Sequence, residues 1–182
     1  MRIEEIGYDN SWYNPGASTV KRILWYFVNL FFIKCYWLPL SQPRVFFLRL
    51  FGAKIGKKVF IKPGVNIKYP WYLQIDDYAW IGENVWIDNL TKVRIGKKAV
   101  VSQGALLLCG NHNYKKKSFD LIVKEIDIQE GAWVGAKCTV CQGVIMRPYS
   151  MLAVGSVASK DLDSYCIYRG NPAIKIKERI VE

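Results

Sequence analysis

The chain has 182 residues, which suits one ordinary domain, and its 51% hydrophobic and 23% charged residues exclude a disordered chain. Its 26 Lys and Arg residues outnumber 15 Asp and Glu, so the formal net charge of +11 favours an anionic ligand or surface. The single histidine, His112, excludes any site that needs two or three histidines from one chain.

The N-terminal residues 1–54 are predicted to form a polar lead-in followed by an apolar helical cap. Residues 23–38 are rich in aliphatic and aromatic side chains, follow Lys21 and Arg22, and end before Pro39. Their length suits a helix but falls short of the roughly 18 uninterrupted apolar residues of a membrane span. A second short helix is predicted over residues 45–51, with Gly52 as its C-terminal stop.

From residue 55 onward an aliphatic residue recurs every six positions. The series comprises Ile55, Ile61, Ile67, Ile75, Ile81, Ile87, Ile95, Val101, Leu107, Ile128, Val134, Val140, Met146 and Leu152. A period of six does not place these residues on one face of a helix, whereas three units close a triangular coil whose rungs stack about 4.8 Å apart as parallel strands. The repeat therefore predicts an all-β protein, a parallel β-helix over residues 55–163 with a short C-terminal tail or helix over residues 164–182.

The interruptions of the repeat all follow the third unit of a coil. Equivalent positions are 20 residues apart from Ile55 to Ile75, 20 from Ile75 to Ile95, and 33 from Ile95 to Ile128. The insertions are therefore predicted to emerge at one corner of the prism. The longest, about residues 113–127, begins directly after His112, and a long excursion from a regular solenoid is where functional residues are expected.

The apolar segment 23–38 has three interpretations, because it precedes the first coil and is also unusually aromatic. The first coil of a β-helix exposes backbone and apolar interior, so a cap is the leading interpretation. Aromatic side chains beside Lys21, Arg22 and Lys34 also suit the surface of an anionic membrane, which is the second. A true membrane span is a distant third.

The chain resembles the hexapeptide-repeat acyltransferases, in the branch of colanic acid and exopolysaccharide biosynthesis O-acetyltransferases, which are related to the galactoside and maltose O-acetyltransferases. The motifs that carry the resemblance are LFGAKIG at 50–56, VWIDN at 85–89, SQGA at 102–105, GNHNY at 110–114, GAWV at 131–134 and GNPA at 170–173. The resemblance covers about residues 20 to 180. It implies a left-handed β-helix, a homotrimer, acetyl-CoA as the acyl donor, and a sugar or oligosaccharide acceptor.

The resemblance assigns the catalytic position to His112. A sugar hydroxyl is a poor nucleophile, and an imidazole can take its proton as it attacks the thioester carbonyl, which is worth roughly 10²–10⁴-fold in rate. This direct attack needs neither a metal nor a covalent intermediate on a cysteine. For the acceptor site, the resemblance favours Asn89 as a substrate contact. Asp88 is included beside it but suits a turn, and Trp133 is either an aromatic near the acetyl group or a packing residue.

The resemblance also implies a set of donor contacts. Backbone groups of Ala136, Val154 and Gly155, together with Ser159 and Lys160, correspond to the positions that hold the pantetheine arm. In the C-terminal tail Lys177 corresponds to a cation that meets the CoA phosphates, and Lys175 is close to it. Ile174 stands where the family has a second cation, which is a departure from the pattern.

Several alternatives remain open at this point. The same base could serve an amino-sugar N-acetyltransferase that uses a nucleotide sugar, and a non-catalytic β-helix scaffold is a candidate from another class. No nucleic-acid motif is present, and Cys138 and Cys141 are interpreted as packing residues because no further cysteine pair or histidine completes a zinc site. The polar residues 1–18 lack a signal-peptide core, so the prediction is a cytoplasmic enzyme with reduced thiols, with the inner face of the membrane as a second possibility.

Overall fold

The computed structural model describes residues 10–181 of the chain. Helix α1 (Thr19–Val28) continues into a π-helical turn (Asn29–Ile33), and helix α2 (Ser41–Leu50) follows an irregular connection. The helical part of the apolar segment therefore ends five residues earlier than predicted. Helix α2 begins four residues earlier than predicted, because Pro43 lies in its first turn, where the missing amide hydrogen is not needed.

The strands are numbered in chain order, and all except two hairpin strands form three sheets, which are the faces of a triangular prism. The sheets are parallel except for the last strand. The first face contains β1 (Lys54–Ile55), β4 (Leu73–Ile75), β7 (Val93–Ile95), β12 (Ile126–Ile128) and β15 (Ile145–Met146). The second contains β2 (Phe60–Ile61), β5 (Trp80–Ile81), β8 (Val100–Val101), β13 (Trp133–Val134), β16 (Met151–Leu152), β18 (Cys166–Gly170) and β19 (Ala173–Glu178). The third contains β3 (Asn66–Ile67), β6 (Trp86–Asp88), β9 (Leu106–Leu108), β14 (Thr139–Val140) and β17 (Val157–Ala158).

The register of these sheets confirms the six-residue repeat. On the first face Ile55 pairs with Ile75, which pairs with Ile95, and the next coils continue with Ile128 and Met146. The side chains from Ile75 to Met146 in this column are at most 1% exposed. Each face thus stacks one inward aliphatic residue above the next, and these columns fill the prism.

The N-terminal helices cover the open end of the first coil. The buried indole of Trp25 donates a hydrogen bond to the Ile67 carbonyl at 2.9 Å, and the hydroxyl of Ser41 accepts one from the Ile61 amide at 2.8 Å. The side chain of Asn29 donates to the Asn66 side chain at 2.8 Å. Polar groups at the edge of the first coil therefore find partners in the cap.

The connection between the two helices is held by one buried guanidinium group. Arg44 is fully buried, and it donates hydrogen bonds to the carbonyl oxygens of Ile33 at 3.0 Å, Leu40 at 2.7 Å and Cys35 at 2.9 Å. A further bond reaches the carbonyl of Leu38. Because the planar guanidinium group donates to several backbone carbonyls at once, the backbone conformation of residues 33–40 depends on this side chain.

We expect Arg44→Lys to lower the free energy of unfolding by about 2–4 kcal/mol, because a single ammonium group cannot replace two or more charge-assisted bonds to buried carbonyls. Urea unfolding monitored by circular dichroism measures the change. Arg49→Lys is the matched control: Arg49 also donates to carbonyls, those of Ile55 and Gly56, but from an exposed position. Equal effects of the two substitutions would contradict the role given to Arg44.

The C-terminal tail continues the second face. Strand β18 pairs parallel with β16, and β19 folds back antiparallel on β18, so the tail is a strand pair and the helical alternative in the prediction was wrong. Past β19, the guanidinium of Arg179 donates to the carbonyls of Gly131 at 3.0 Å and Tyr149 at 3.1 Å, which fastens the tail to two coils. Among residues 10–181, no helix is long and apolar enough to cross a bilayer.

Candidate active site

Each corner of the prism is numbered here by the face whose strands precede it. The long excursion is an antiparallel hairpin at the third corner, where it follows β9. Its strands are β10 (Gly110–His112) and β11 (Leu121–Val123), with His112 paired to Leu121. The predicted loop of residues 113–127 is therefore displaced: the excursion begins at Gly110, and the coil has resumed at Ile126, which pairs with Val93. The reason is that Cys109 still points into the core and its carbonyl accepts from the Lys124 amide at 3.1 Å, closing the base of the hairpin.

The hairpin fixes the ring of His112. Its Nδ1 lies 3.0 Å from the carbonyl oxygen of Phe119, and the two rings stack with centroids 4.6 Å apart and planes 3° apart. Phe119 has φ 47°, the left-handed region that residues other than glycine rarely adopt. Because a carbonyl can only accept, Nδ1 of the neutral ring carries the proton and Nε2 carries the lone pair. The backbone thus selects the tautomer in which Nε2 is basic.

A cavity of about 490 Å³ lies beside the imidazole. It is lined by Asn10, Tyr13, Lys68, Tyr69, Asp88, Leu90, Leu108, Gly110, Asn111, His112 and Leu121. Within it Lys68 and Asp88 form an ion pair at 3.0 Å. The wall therefore combines charged hydrogen-bonding groups, tyrosines and aliphatic side chains, and such a surface can bind a polar molecule that also has apolar faces.

Residues 10–16, here called the N-terminal strap, form one wall of this cavity. The hydroxyl of Tyr13 donates to the Leu90 carbonyl at 2.6 Å, and the indole of Trp71 donates to the Pro15 carbonyl at 2.8 Å. Burial, with nearby Tyr69 as the next cause, raises the pKa of Tyr13, so the phenol stays a donor. The sequence predicted only a lead-in here, because the partners lie 56 to 77 positions further along the chain.

The structure places Asn89 inside the third corner and Asp88 at the wall of the cavity. Asn89 is fully buried; its side chain accepts from the Tyr69 amide at 3.0 Å and donates to the Tyr69 carbonyl at 2.6 Å. The amide of Asn89 is thus occupied in holding the corner, and its contact with substrate stays a prediction. Side chains alternate along a strand, so after the inward Ile87 it is Asp88 that points outward and lines the cavity.

The residues expected to hold the donor lie on different edges of the prism. Ala136, Val154 and Gly155 follow strands of the second face, at the second corner, where the Gly155 amide donates to the Ala136 carbonyl at 2.9 Å. Ser159 and Lys160 follow β17 and lie at the third corner, two coils beyond the hairpin. The structure therefore divides this set between two edges of a single chain.

Trp133 is also separated from His112 by the width of the prism. It is on β13 of the second face, which is opposite the third corner, and its indole donates to the Ser102 hydroxyl at 2.9 Å. The side chain is 38% exposed, so it is not a core residue. The structure does not bring Trp133 to His112 within one chain, and a shared ligand would need another subunit.

The tail contains a cation that sequence reasoning missed. Lys175 pairs with Tyr168, Lys177 pairs with Ile167, and Arg169 stands directly across from Ile174. The Cβ atoms of directly paired residues lie about 5 Å apart. Arg169 therefore places a guanidinium group beside Ile174, the position at which the family has a cation. The turn at residues 170–173 was the available signal, because it could have been interpreted as the centre of a hairpin.

The cysteines are placed as packing residues. Burial raises the pKa of the Cys109 thiol to about 12, and burial also raises the pKa of Cys138, which donates to the Ala153 carbonyl at 2.9 Å. The thiol nearest in sequence to His112 is therefore protonated at neutral pH and is a poor nucleophile. Within the described part of the chain, no three His, Cys, Asp or Glu side chains are grouped as metal ligands.

Comparisons with known proteins bear on both fold and site. No family model matches the chain. WcaF of Escherichia coli (strain K12), assigned to colanic acid biosynthesis as an acetyltransferase, is 38% identical over 167 residues, which are 91% of each chain. The crystal structure of a hexapeptide-repeat acetyltransferase of Vibrio cholerae with acetyl-CoA has a TM-score of 0.80 at 21% identity, covering 91% of this chain and 92% of that one.

A galactoside acetyltransferase in complex with CoA has a TM-score of 0.70 at 20% identity, with 87% of this chain and 80% of that chain covered. At these identities the two solved structures show the fold, the left-handed parallel β-helix built of hexapeptide repeats. The relative at 38% identity shows the family over nearly the whole length of both proteins. The chain belongs to the hexapeptide-repeat acetyltransferases, in the branch that includes the colanic acid biosynthesis acetyltransferase WcaF.

Proposed function

We propose that the protein is a cytoplasmic, acetyl-CoA-dependent O-acetyltransferase that acetylates a sugar hydroxyl in exopolysaccharide or surface-polysaccharide biosynthesis, with His112 as the general base. The observation that carries the proposal is the 3.0 Å contact between Nδ1 of His112 and the Phe119 carbonyl. It leaves Nε2 as the basic nitrogen beside a cavity of suitable chemistry. The family membership supports the acetyl transfer, and the absence of disulfides among the five cysteines is compatible with a reducing compartment.

In the proposed reaction, acetyl-CoA supplies the thioester carbonyl that the acceptor oxygen attacks. Nε2 of His112 takes the hydroxyl proton as the new carbon–oxygen bond forms, and it returns that proton to the sulfur as the carbon–sulfur bond breaks. Asp88 can accept hydrogen bonds from further hydroxyl groups of the sugar, and Lys68 can donate to its oxygens. The high pKa of Cys109 supports direct transfer without an acyl-cysteine.

For the donor we propose a site between subunits of a homotrimer. Ala136, Val154 and Gly155 lie at the second corner, whereas His112, Ser159 and Lys160 lie along the third. The face between two corners is one six-residue unit, which spans up to ~20 Å of extended chain. The pantetheine arm of CoA, if it lies along the prism, therefore cannot contact both corners of one chain. The second corner of one subunit against the third corner of its neighbour would complete the site.

The open surface around the second corner fits such an arm. The Val154 side chain is 70% exposed, and a Cβ atom added to Gly155 would meet nothing within 4 Å. The tail strand adds exposed cations near the same end of the prism, and we assign the CoA phosphates to Lys175, Lys177 and Arg169. Trp133 of the second face is assigned to the acetyl end of the same inter-subunit groove.

The proposed reaction is tested by a screen of acceptor sugars that follows release of the CoA thiol. Mild alkaline hydroxylamine then separates the two candidate products, because it cleaves an acetyl ester and leaves an acetyl amide intact. A hydroxylamine-stable product would replace O-transfer by amino-sugar N-transfer, for which the same base would serve. Failure to bind acetyl-CoA would favour a non-catalytic scaffold.

We expect Tyr13→Phe to raise the KM for the acceptor about fivefold, since it removes one buried hydrogen bond that fixes the N-terminal strap, worth roughly 1 kcal/mol. The KM for acetyl-CoA should stay unchanged, because the strap lies at the third corner near the hairpin and not at the second. Steady-state kinetics with each substrate varied in turn measures both constants. Tyr114→Phe, at an exposed site in the hairpin loop, is the matched control, and a change in the acetyl-CoA constant alone would contradict the assignment.

A further inference from the structure

The helical cap has an apolar face that points away from the β-helix. In α1 and the π-helical turn, Trp25, Val28 and Ile33 face the first coil, whereas a second set of apolar residues faces solvent. That second set is Val20, Ile23, Leu24, Phe27, Leu30 and Phe31, with exposed fractions between 42% and 67%. Its spacing of three and four residues makes a continuous stripe, so the helix is apolar on both sides.

The same surface extends over the connection and helix α2. Trp37, Leu40, Phe46 and Leu50 are each at least 60% exposed. Because α2 turns Val45 and Leu48 toward the coil, its exposed residues lie on the side away from it. These residues and the stripe on α1 are here called the cap surface, and single chains rarely expose an apolar area of this extent without a partner.

The charge around the cap surface is of one sign. Residues 10–75 contain ten Lys and Arg and no Asp or Glu; of these ten, Arg44 is buried, and Lys62 and Lys68 are paired with Glu83 and Asp88 of the second coil. Arg22, Lys34 and Arg49 are exposed on the cap itself, and Lys54, Lys57 and Lys58 are exposed on the first coil. A partner of this surface must therefore be anionic and must also accept aromatic and aliphatic side chains.

We propose that the cap surface docks the protein on an anionic lipid bilayer, with the apolar side chains at the acyl boundary and the cations at the headgroups. A second copy of the chain is disfavoured, because a symmetric contact would bring two such surfaces together, and residues 19–50 contain no acidic side chain to offset the repulsion of their cations. The inference stands apart from the proposed reaction, since it uses no residue assigned to catalysis or to CoA.

Flotation of the purified full-length protein with vesicles tests the proposal. One set contains equal parts of phosphatidylcholine and phosphatidylglycerol, and the other contains phosphatidylcholine alone. We expect binding to the anionic vesicles at low salt, weakened by added salt, and at least ~10-fold weaker for the double variant Phe27→Glu, Phe31→Glu. The matched control is Ile180→Glu, Val181→Glu, which alters two exposed aliphatic residues past β19, away from the cap, and should bind like the unmodified protein.

Circular dichroism and light scattering decide how a loss of binding is interpreted. If the aromatic variant unfolds, Arg22→Gln with Lys34→Gln replaces it, and each lost cation should weaken binding roughly fivefold. The proposal is overturned if the unmodified protein ignores anionic vesicles, if the control variant loses as much binding, or if the cap variant instead dissociates an oligomer. Acetyl transfer to a soluble acceptor, measured in parallel, should be the same for all variants, so failure of docking and failure of the proposed reaction are distinguishable.

Discussion

Replacing His112 by alanine is expected to lower the turnover number at least about 100-fold, the lower end of what removal of a general base costs. The fold should persist, because the imidazole lies on a hairpin outside the coils, where its ring stacks on Phe119. Turnover is measured with acetyl-CoA and the best acceptor of the screen, and thermal unfolding is compared with that of the unmodified protein. Near-normal transfer by a folded variant would remove His112 from the mechanism.

A further measurement separates a base from a structural residue. Added imidazole should partly restore the variant, since the truncated side chain leaves room beside the cavity. A folded variant whose turnover imidazole does not restore would argue against the base.

Co-expression of two inactive variants is expected to restore activity if the site lies between subunits. His112→Ala lacks the base, and Val154→Trp blocks the second corner from an exposed position that a larger side chain can occupy. In randomly mixed trimers a site is intact when one subunit keeps His112 and its neighbour keeps Val154. Each of these two conditions is met with a probability of one half, so about one quarter of the sites should be intact and about one quarter of full activity is expected.

The controls for this experiment are each variant alone and a mixture of the two variants that were purified separately as assembled trimers, so that subunits do not exchange. All of these should remain inactive. A site within one chain predicts no recovery in the mixed trimers, since every chain carries one defect. Recovery well above one quarter would indicate that Val154→Trp alone retains activity, which would contradict its place in the donor groove.

The β-helix could be predicted because its determinants are local. Each inward aliphatic residue, such as Ile81 or Val101, repeats at a fixed interval, and burial of that column decides the fold wherever the coil continues. The corner that carries the insertions followed from the same count. The hairpin start was misplaced by three residues because Asn111 and His112 are compatible with either a loop or a strand, and only the pairing with Leu121 decides.

The site was less predictable, because its contacts join distant parts of the chain. Tyr13 becomes a wall of the cavity through a carbonyl 77 positions away, which no local pattern indicates. Asn89 was favoured over Asp88 by resemblance, yet strand alternation after Ile87 was a physical signal in the sequence that pointed the other way. Arg169 was missed because the tail was expected to be a helix or loop, in which it has no cross-strand partner.

The base of the hairpin that carries His112 has an evolutionary consequence. The chain leaves the solenoid after Cys109 and rejoins it at Lys124, and these two residues are hydrogen-bonded neighbours at 3.1 Å. Insertions or deletions between them therefore leave the register of every coil untouched, and closing a somewhat longer loop adds only a small entropic cost. Relatives that modify different sugars could thus diverge by changing the length and sequence of this one segment while inheriting an unaltered scaffold.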